Sequence, residues 1–151
     1  MLRILALTFL FVQTARAAPA LTGYWFTADR GGVIAISSCG DILCAHIAGV
    51  VLDHPNEEMP LDYRGVSQCA LPVITDARQI QPNLWKGHIT DPRSGHVYGV
   101  ELRLDPHGNL ALRGFLGFTL LGRTQIWTRY PGKPPTDCRL HAGTRPSEVN
   151  R

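Results

Sequence analysis

No apolar run in this chain is long enough to cross a bilayer. The longest nearly unbroken stretch, Ile4 to Val12, falls well short of the roughly 20 residues that a helical span requires. Charge of one sign is never clustered, and no amphipathic helix stands out, so neither a nucleic-acid surface nor adsorption through a basic helix is indicated. HExxH, GxSxG and a phosphate-cradling glycine loop are all missing, which removes the common zinc-hydrolase, serine-hydrolase and nucleotide-binding readings. There is no CxxC pair, so the cysteines do not have the spacing of a structural zinc site. No cofactor is implied.

What is present first gives an address. Arg3 supplies a short positive region, Ile4 to Val12 an apolar one, and Ala15-Arg16-Ala17 a small-x-small cleavage site. The expectation is a signal peptide over residues 1–17 and a protein that is periplasmic or secreted. Loss of Arg3 and Arg16 would bring the formal charge of +3 close to neutral. Cys39, Cys44, Cys69 and Cys138 make an even set, as disulfides in an oxidising compartment require. Cys39 and Cys44 flank Gly40-Asp41-Ile42-Leu43, which reads as a reversal. The favoured pairing is therefore Cys39 with Cys44 and Cys69 with Cys138.

Beyond the leader the apolar pattern has period two and is broken every eight to twelve residues or so by turn residues, the signature of an all-β barrel or sandwich. Strands are predicted over Thr22–Ala28, Gly32–Ser37, Leu43–Val51, Leu71–Ile74, Leu84–Thr90, His96–Leu104, Asn109–Phe115 and Gly122–Arg129. Asp53 to Cys69 reads as a long loop. Residues 18–130 form one β domain on this reading, and the Pro-rich tail 131–151 is expected to be irregular.

Two hairpins allow a register to be derived, because side chains on the core face pair across strands. Asp91 opposite His96 brings Ile89 to Tyr98, Gly87 to Val100 and Trp85 to Leu102. Around Asp105 to Asn109, Leu104 meets Leu110, Leu102 meets Leu112 and Val100 meets Gly114. Both registers gather apolar side chains on one face, while Gly87, Gly99 and Gly114 thin the sheet where a backbone or ligand comes close.

Gly23-Tyr24-Trp25, Ile36 to Cys44, Trp85 to Gly95, Tyr98, Leu112-Arg113-Gly114 and Gly122 to Arg129 together resemble the bacterial family called domain of unknown function 2147. The resemblance implies a small exported up-and-down, lipocalin-like barrel of about eight antiparallel strands, and carries no activity with it. Trp25 and Arg129 are similar to the tryptophan and arginine that close the floor of lipocalin barrels, with a guanidinium over an indole. Arg123, on the same strand face, is the alternative partner for Trp25.

Polar groups suited to catalysis are sparse. His88, His96, Asp91 and Tyr98 surround one hairpin, but in the derived register His88 and Tyr98 fall on opposite faces. Asp53-His54 and Asp62 with Arg64 belong to the long loop. Ser37, Ser38, Ser67 and Ser94 have no base at a recognisable spacing, so a hydrolytic enzyme is the least favoured reading. The favoured one is a non-catalytic binder of a small hydrophobic or lipid-like molecule, with Trp85, Tyr98, Val100, Leu102 and Leu112 lining a pocket and Arg113 or Lys86 near its mouth. The alternative is an envelope structural or protein-interaction module whose barrel is filled by its own side chains.

Overall fold

A computed structural model describes residues 20–142; the expected signal peptide lies outside the described residues. Eight antiparallel strands run up and down in chain order: β1 (Gly23–Phe26), β2 (Gly32–Cys39), β3 (Ile42–Leu52), β4 (Pro72–Gln81), β5 (Leu84–Thr90), β6 (Val97–Leu104), β7 (Leu110–Phe115) and β8 (Arg123–Arg129). Each pairs with the next, and β8 returns to β1, so the sheet closes into a barrel. Closure removes most of the exposed edge that an open β-sheet has to protect.

The period-two pattern has the expected consequence. Alternate residues point inward along most of the strands, and Trp25, Ile34, Leu43, Trp85, Leu102 and Trp127 are among the side chains of one continuous interior cluster. The β5–β6 register brings Trp85 to Leu102, Gly87 to Val100 and Ile89 to Tyr98. The β6–β7 register brings Leu102 to Leu112 and Val100 to Gly114. Both are the pairings derived from the hairpin arithmetic.

Two expectations need correction. Strand β4 extends to Gln81 rather than stopping at Ile74. Its pairings with β3 and β5 contain register irregularities, so Val73 and Ile74 are both buried and the alternation is lost where Asp76, Arg78 and Gln79 follow. The tail is also not wholly irregular. Arg139–His141 forms a ninth strand, β9, parallel to Val50–Leu52 of β3. It occupies the flank that β4 leaves vacant, because β4 begins only opposite His46.

A second, outer cluster explains why the tail stays there. Phe26, Val33, Ala35 and Ala48 on the outside of β1–β3 are covered by Leu140. Gly49 makes the approach possible, since a Cβ at that position would fall 2.5 Å from Leu140 Cδ1. The Cys69–Cys138 disulfide fastens the same segment to the long loop, and Cys39–Cys44 closes the β2–β3 turn.

The two ends of the barrel differ. At the floor, Trp25 donates its indole N–H to Leu21 O, and Arg129 crosses beneath. The opposite end carries the β1–β2 turn, the long 53–71 connection, the β5–β6 hairpin and the β7–β8 loop with its short 3-10 turn, η1 (Thr119–Leu121).

Candidate functional site

The distinctive geometry lies at that second end, where β7 meets β8. Val100, Gly114 and Arg123 occupy one register row, as do Leu102, Leu112 and Gln125. Residues in a row share a face, so Arg123 and Gln125 stand on the interior side of β8. Both are nevertheless exposed, whereas Trp127, two residues further along the same face, is buried. The reason is the limited length of β1. Only Thr128 and Arg129 of β8 pair with it, through Phe26 and Trp25. Among the described residues, Arg123–Trp127 therefore have a strand partner on the β7 side alone.

Gly114 forms the back of this open corner. A Cβ placed there would find nothing within 4 Å, although its register partner Val100 is fully buried. Gln125 accepts the Trp127 indole N–H at 2.9 Å, putting a polar lid over the packed interior below. The corner thus has a cation at Arg123, an amide at Gln125, bare backbone at Gly114 and an apolar floor.

Most of the residues predicted to line a pocket lie beneath the corner. Val100 and Leu102 are completely buried, while Leu112 and Trp85 are nearly so, all within the interior cluster. Tyr98 is half-buried on the same face, opposite Ile89. Arg113 is different: it stands on the outer face, donating from Nε to Thr119 O, from Nη2 to Leu120 O and from Nη1 to Thr124 Oγ1. Its guanidinium is committed to holding the β7–β8 loop, not to a pocket mouth. Lys86 is also outside, in an ion cluster with Glu101 and Arg103.

The long loop is ordered around a buried carboxylate. Asp62 accepts backbone N–H groups from Arg64 and Val66 and the Arg64 guanidinium at 2.7 Å. Burial pushes its pKa up, but these donors outweigh it and hold the carboxyl below its ordinary value. The loop tip then crosses to the β5–β6 hairpin, where Tyr63 N–H donates to Pro92 O.

The titratable groups around that hairpin are dispersed. His88 Nδ1 lies 2.6 Å from Asp76 Oδ2 on the outside of the barrel, a pairing that sequence spacing did not indicate. Burial acts to raise the Asp76 pKa, yet the hydrogen bond from His88 prevails and lowers it. Asp91 is occupied by Arg93 N–H and Ser94 Oγ–H, and His96 lies beside Tyr98 with ring centroids 6.2 Å apart. Among the described residues no group of three or more His, Cys, Asp or Glu is placed to hold a metal.

Residues 23–129 match the family described as uncharacterized protein conserved in bacteria, DUF2147. The chain belongs to this family. The DUF2147 chain has no match among curated proteins. Its fold is similar to that of a solved structure titled "Protein HP1028 from the human pathogen Helicobacter pylori belongs to the lipocalin family", at a TM-score of 0.60 and 16% identity over 73% of this chain and 82% of that one. At that identity the likeness concerns the fold, a closed lipocalin-like barrel.

Arg123 shares a strand face with Arg129, as expected, but lies six residues away at the other end of β8, about 20 Å by strand geometry. Arg129 is the residue stacked on Trp25. The open corner itself was not legible beforehand. Its sequence trace is the change on β8 from polar Arg123 and Gln125 to apolar Trp127 at inward positions.

Proposed function

We propose that this DUF2147 protein is an exported, non-catalytic binder of a small lipid-like molecule, held at the β7–β8 corner with its polar head at Arg123 and Gln125. The observation that carries this reading is the unfilled space at Gly114, beside Val100 in the same register row and above Leu112 and Trp127 of the interior cluster. Such a ligand would bury an apolar chain against these side chains and bring an anionic or carbonyl head to the guanidinium. The two disulfides agree with an oxidising compartment. The lipocalin-like fold supports binding only by analogy.

The packed lower interior favours a second reading, a filled barrel that works through its outer surface. One substitution separates the two. Gly114→Phe would fill the corner at a strand position with free space, so the protein would stay folded under either reading. Titration with a fluorescent long-chain fatty acid is expected to saturate at one site on the parent protein and to lose that site in Gly114→Phe. Equal uptake by both, or uptake by neither, would reject the corner as the binding site.

A further inference from the structure

The tail crosses the outer face of the barrel as a strap fixed at both ends. At its start Tyr130 N–H donates to Tyr24 O, and the Tyr130 ring packs edge-on against Phe26 with centroids 4.9 Å apart. At its far end Cys138 is bridged to Cys69, and the Cys138 carbonyl accepts Val50 N–H. Between these anchors Pro131, Pro134 and Pro135 restrict the backbone further.

Under the strap lies a pocket of about 150 Å³, partly open to solvent. Tyr24, His46 and Ala48 line it on the barrel side, and Lys133, Pro134 and Pro135 on the strap side. Strand parity explains the barrel side. Trp25, Ala45 and Ile47 belong to the interior cluster, so Tyr24 and His46 point out. Both pair with Ala35 of β2, from its two flanks, which sets them about 10 Å apart across the strands. An apolar cavity of about 150 Å³ accommodates a single benzene ring. The space therefore suits a ring-sized body and is too small for a long acyl chain.

Charge selects the head group. Strands β1, β2 and β3 and residues 131–136 contain no aspartate or glutamate. The next carboxylate along the strap, Asp137, accepts Arg139 N–H at 3.1 Å. Among the described residues, the side chains of His46 and Lys133 have no hydrogen bond, ion pair or ring contact. The lysine brings three donors and no acceptor, and the imidazole a further N–H. Two unpartnered donor side chains match the two oxygens of a carboxylate.

We infer that this pocket binds a small, ring-sized carboxylate, with its ring against Tyr24 and Pro134 and its oxygens between His46 and Lys133. The strap is anchored before any ligand arrives, so little chain ordering opposes binding. The site is separate from the β7–β8 corner, which opens on the inner face of β8, and does not depend on it.

The test is calorimetric titration of the oxidised protein with benzoate, and with benzyl alcohol as a neutral body of similar size. Benzoate is expected to saturate one site per chain, and benzyl alcohol to bind at least about tenfold more weakly. Lys133→Met should weaken benzoate binding by about the same factor without moving the thermal midpoint, because Lys133 is exposed. The His46 ring signals in the NMR spectrum should shift as benzoate is added. Gly114→Phe should bind benzoate as the parent does. Absence of saturable benzoate uptake, equal affinity for benzyl alcohol, or parent-like binding by Lys133→Met would overturn the inference. So would loss of benzoate binding in Gly114→Phe alone, since the carboxylate would then sit at Arg123.

Discussion

The Arg129 guanidinium lies 3.9 Å from the centre of the Trp25 ring and donates to the carbonyls of Thr22 and Ala20. Gly23, at φ 123°, is what admits it, because a Cβ there would fall 2.6 Å from Arg129 Nη1. Three residues from the two ends of the barrel sequence thus form one closure. Burial lowers the Arg129 pKa, but a guanidinium remains charged throughout the accessible pH range.

Arg129→Ala is expected to destabilise the barrel by roughly 2 kcal/mol, from loss of the cation–π contact and of charged hydrogen bonds to main-chain carbonyls. Arg129→Lys keeps the charge but not the fork, and should recover only part of that loss. Urea unfolding midpoints measure both. Parent-like stability of Arg129→Ala would show that the floor does not depend on this contact.

Leu102→Arg tests the interior register. Leu102 is fully buried and pairs with Trp85 and Leu112, so a charge there would have no partner. A loss of more than about 3 kcal/mol, or failure to fold, is expected. A folded, stable Leu102→Arg protein would contradict the assigned inner face.

The disulfides should differ in effect. Cys69–Cys138 spans 69 residues and Cys39–Cys44 only 5. Chain entropy gives roughly 4 kcal/mol for the first and roughly 2 for the second. Paired Cys→Ser replacement followed by denaturant titration should preserve that order. Loss of Cys69–Cys138 should also release the tail, read as faster amide exchange at Arg139–His141.

Asp62 predicts an acid-side effect. Its folded pKa is depressed, so its contribution is present above the unfolded value of about 3.9 and is lost as pH falls through the lower folded value. Asp62→Asn should be less stable than the parent at neutral pH, and the difference should shrink below about pH 4. A difference that is constant with pH would mean that the carboxylate charge is not what orders the loop.

The closed barrel and both hairpin registers were legible because the inward positions of β5, β6 and β7 alternate from Trp85 to Leu112 and, Gly87 apart, carry apolar side chains. β4 was cut short because its bulges put Val73 and Ile74 inside together and left a polar stretch resembling a turn. The short strand β9 has no periodicity of its own; it depends on Gly49, Leu140 and the Cys69–Cys138 bridge. The open corner depends on where β1 ends relative to β8, a length relationship between strands distant in sequence. Arg113 was misplaced because strand parity was not applied to it: its neighbour Leu112 points inward, so Arg113 points out.

Native mass spectrometry of the oxidised protein, with solvent extraction of whatever accompanies it, tests the binding proposal most directly. The account predicts one amphiphilic molecule per chain, absent from Gly114→Phe. A clean apo mass that stays unchanged after incubation with a mixed lipid extract would contradict it and leave the filled barrel as the reading.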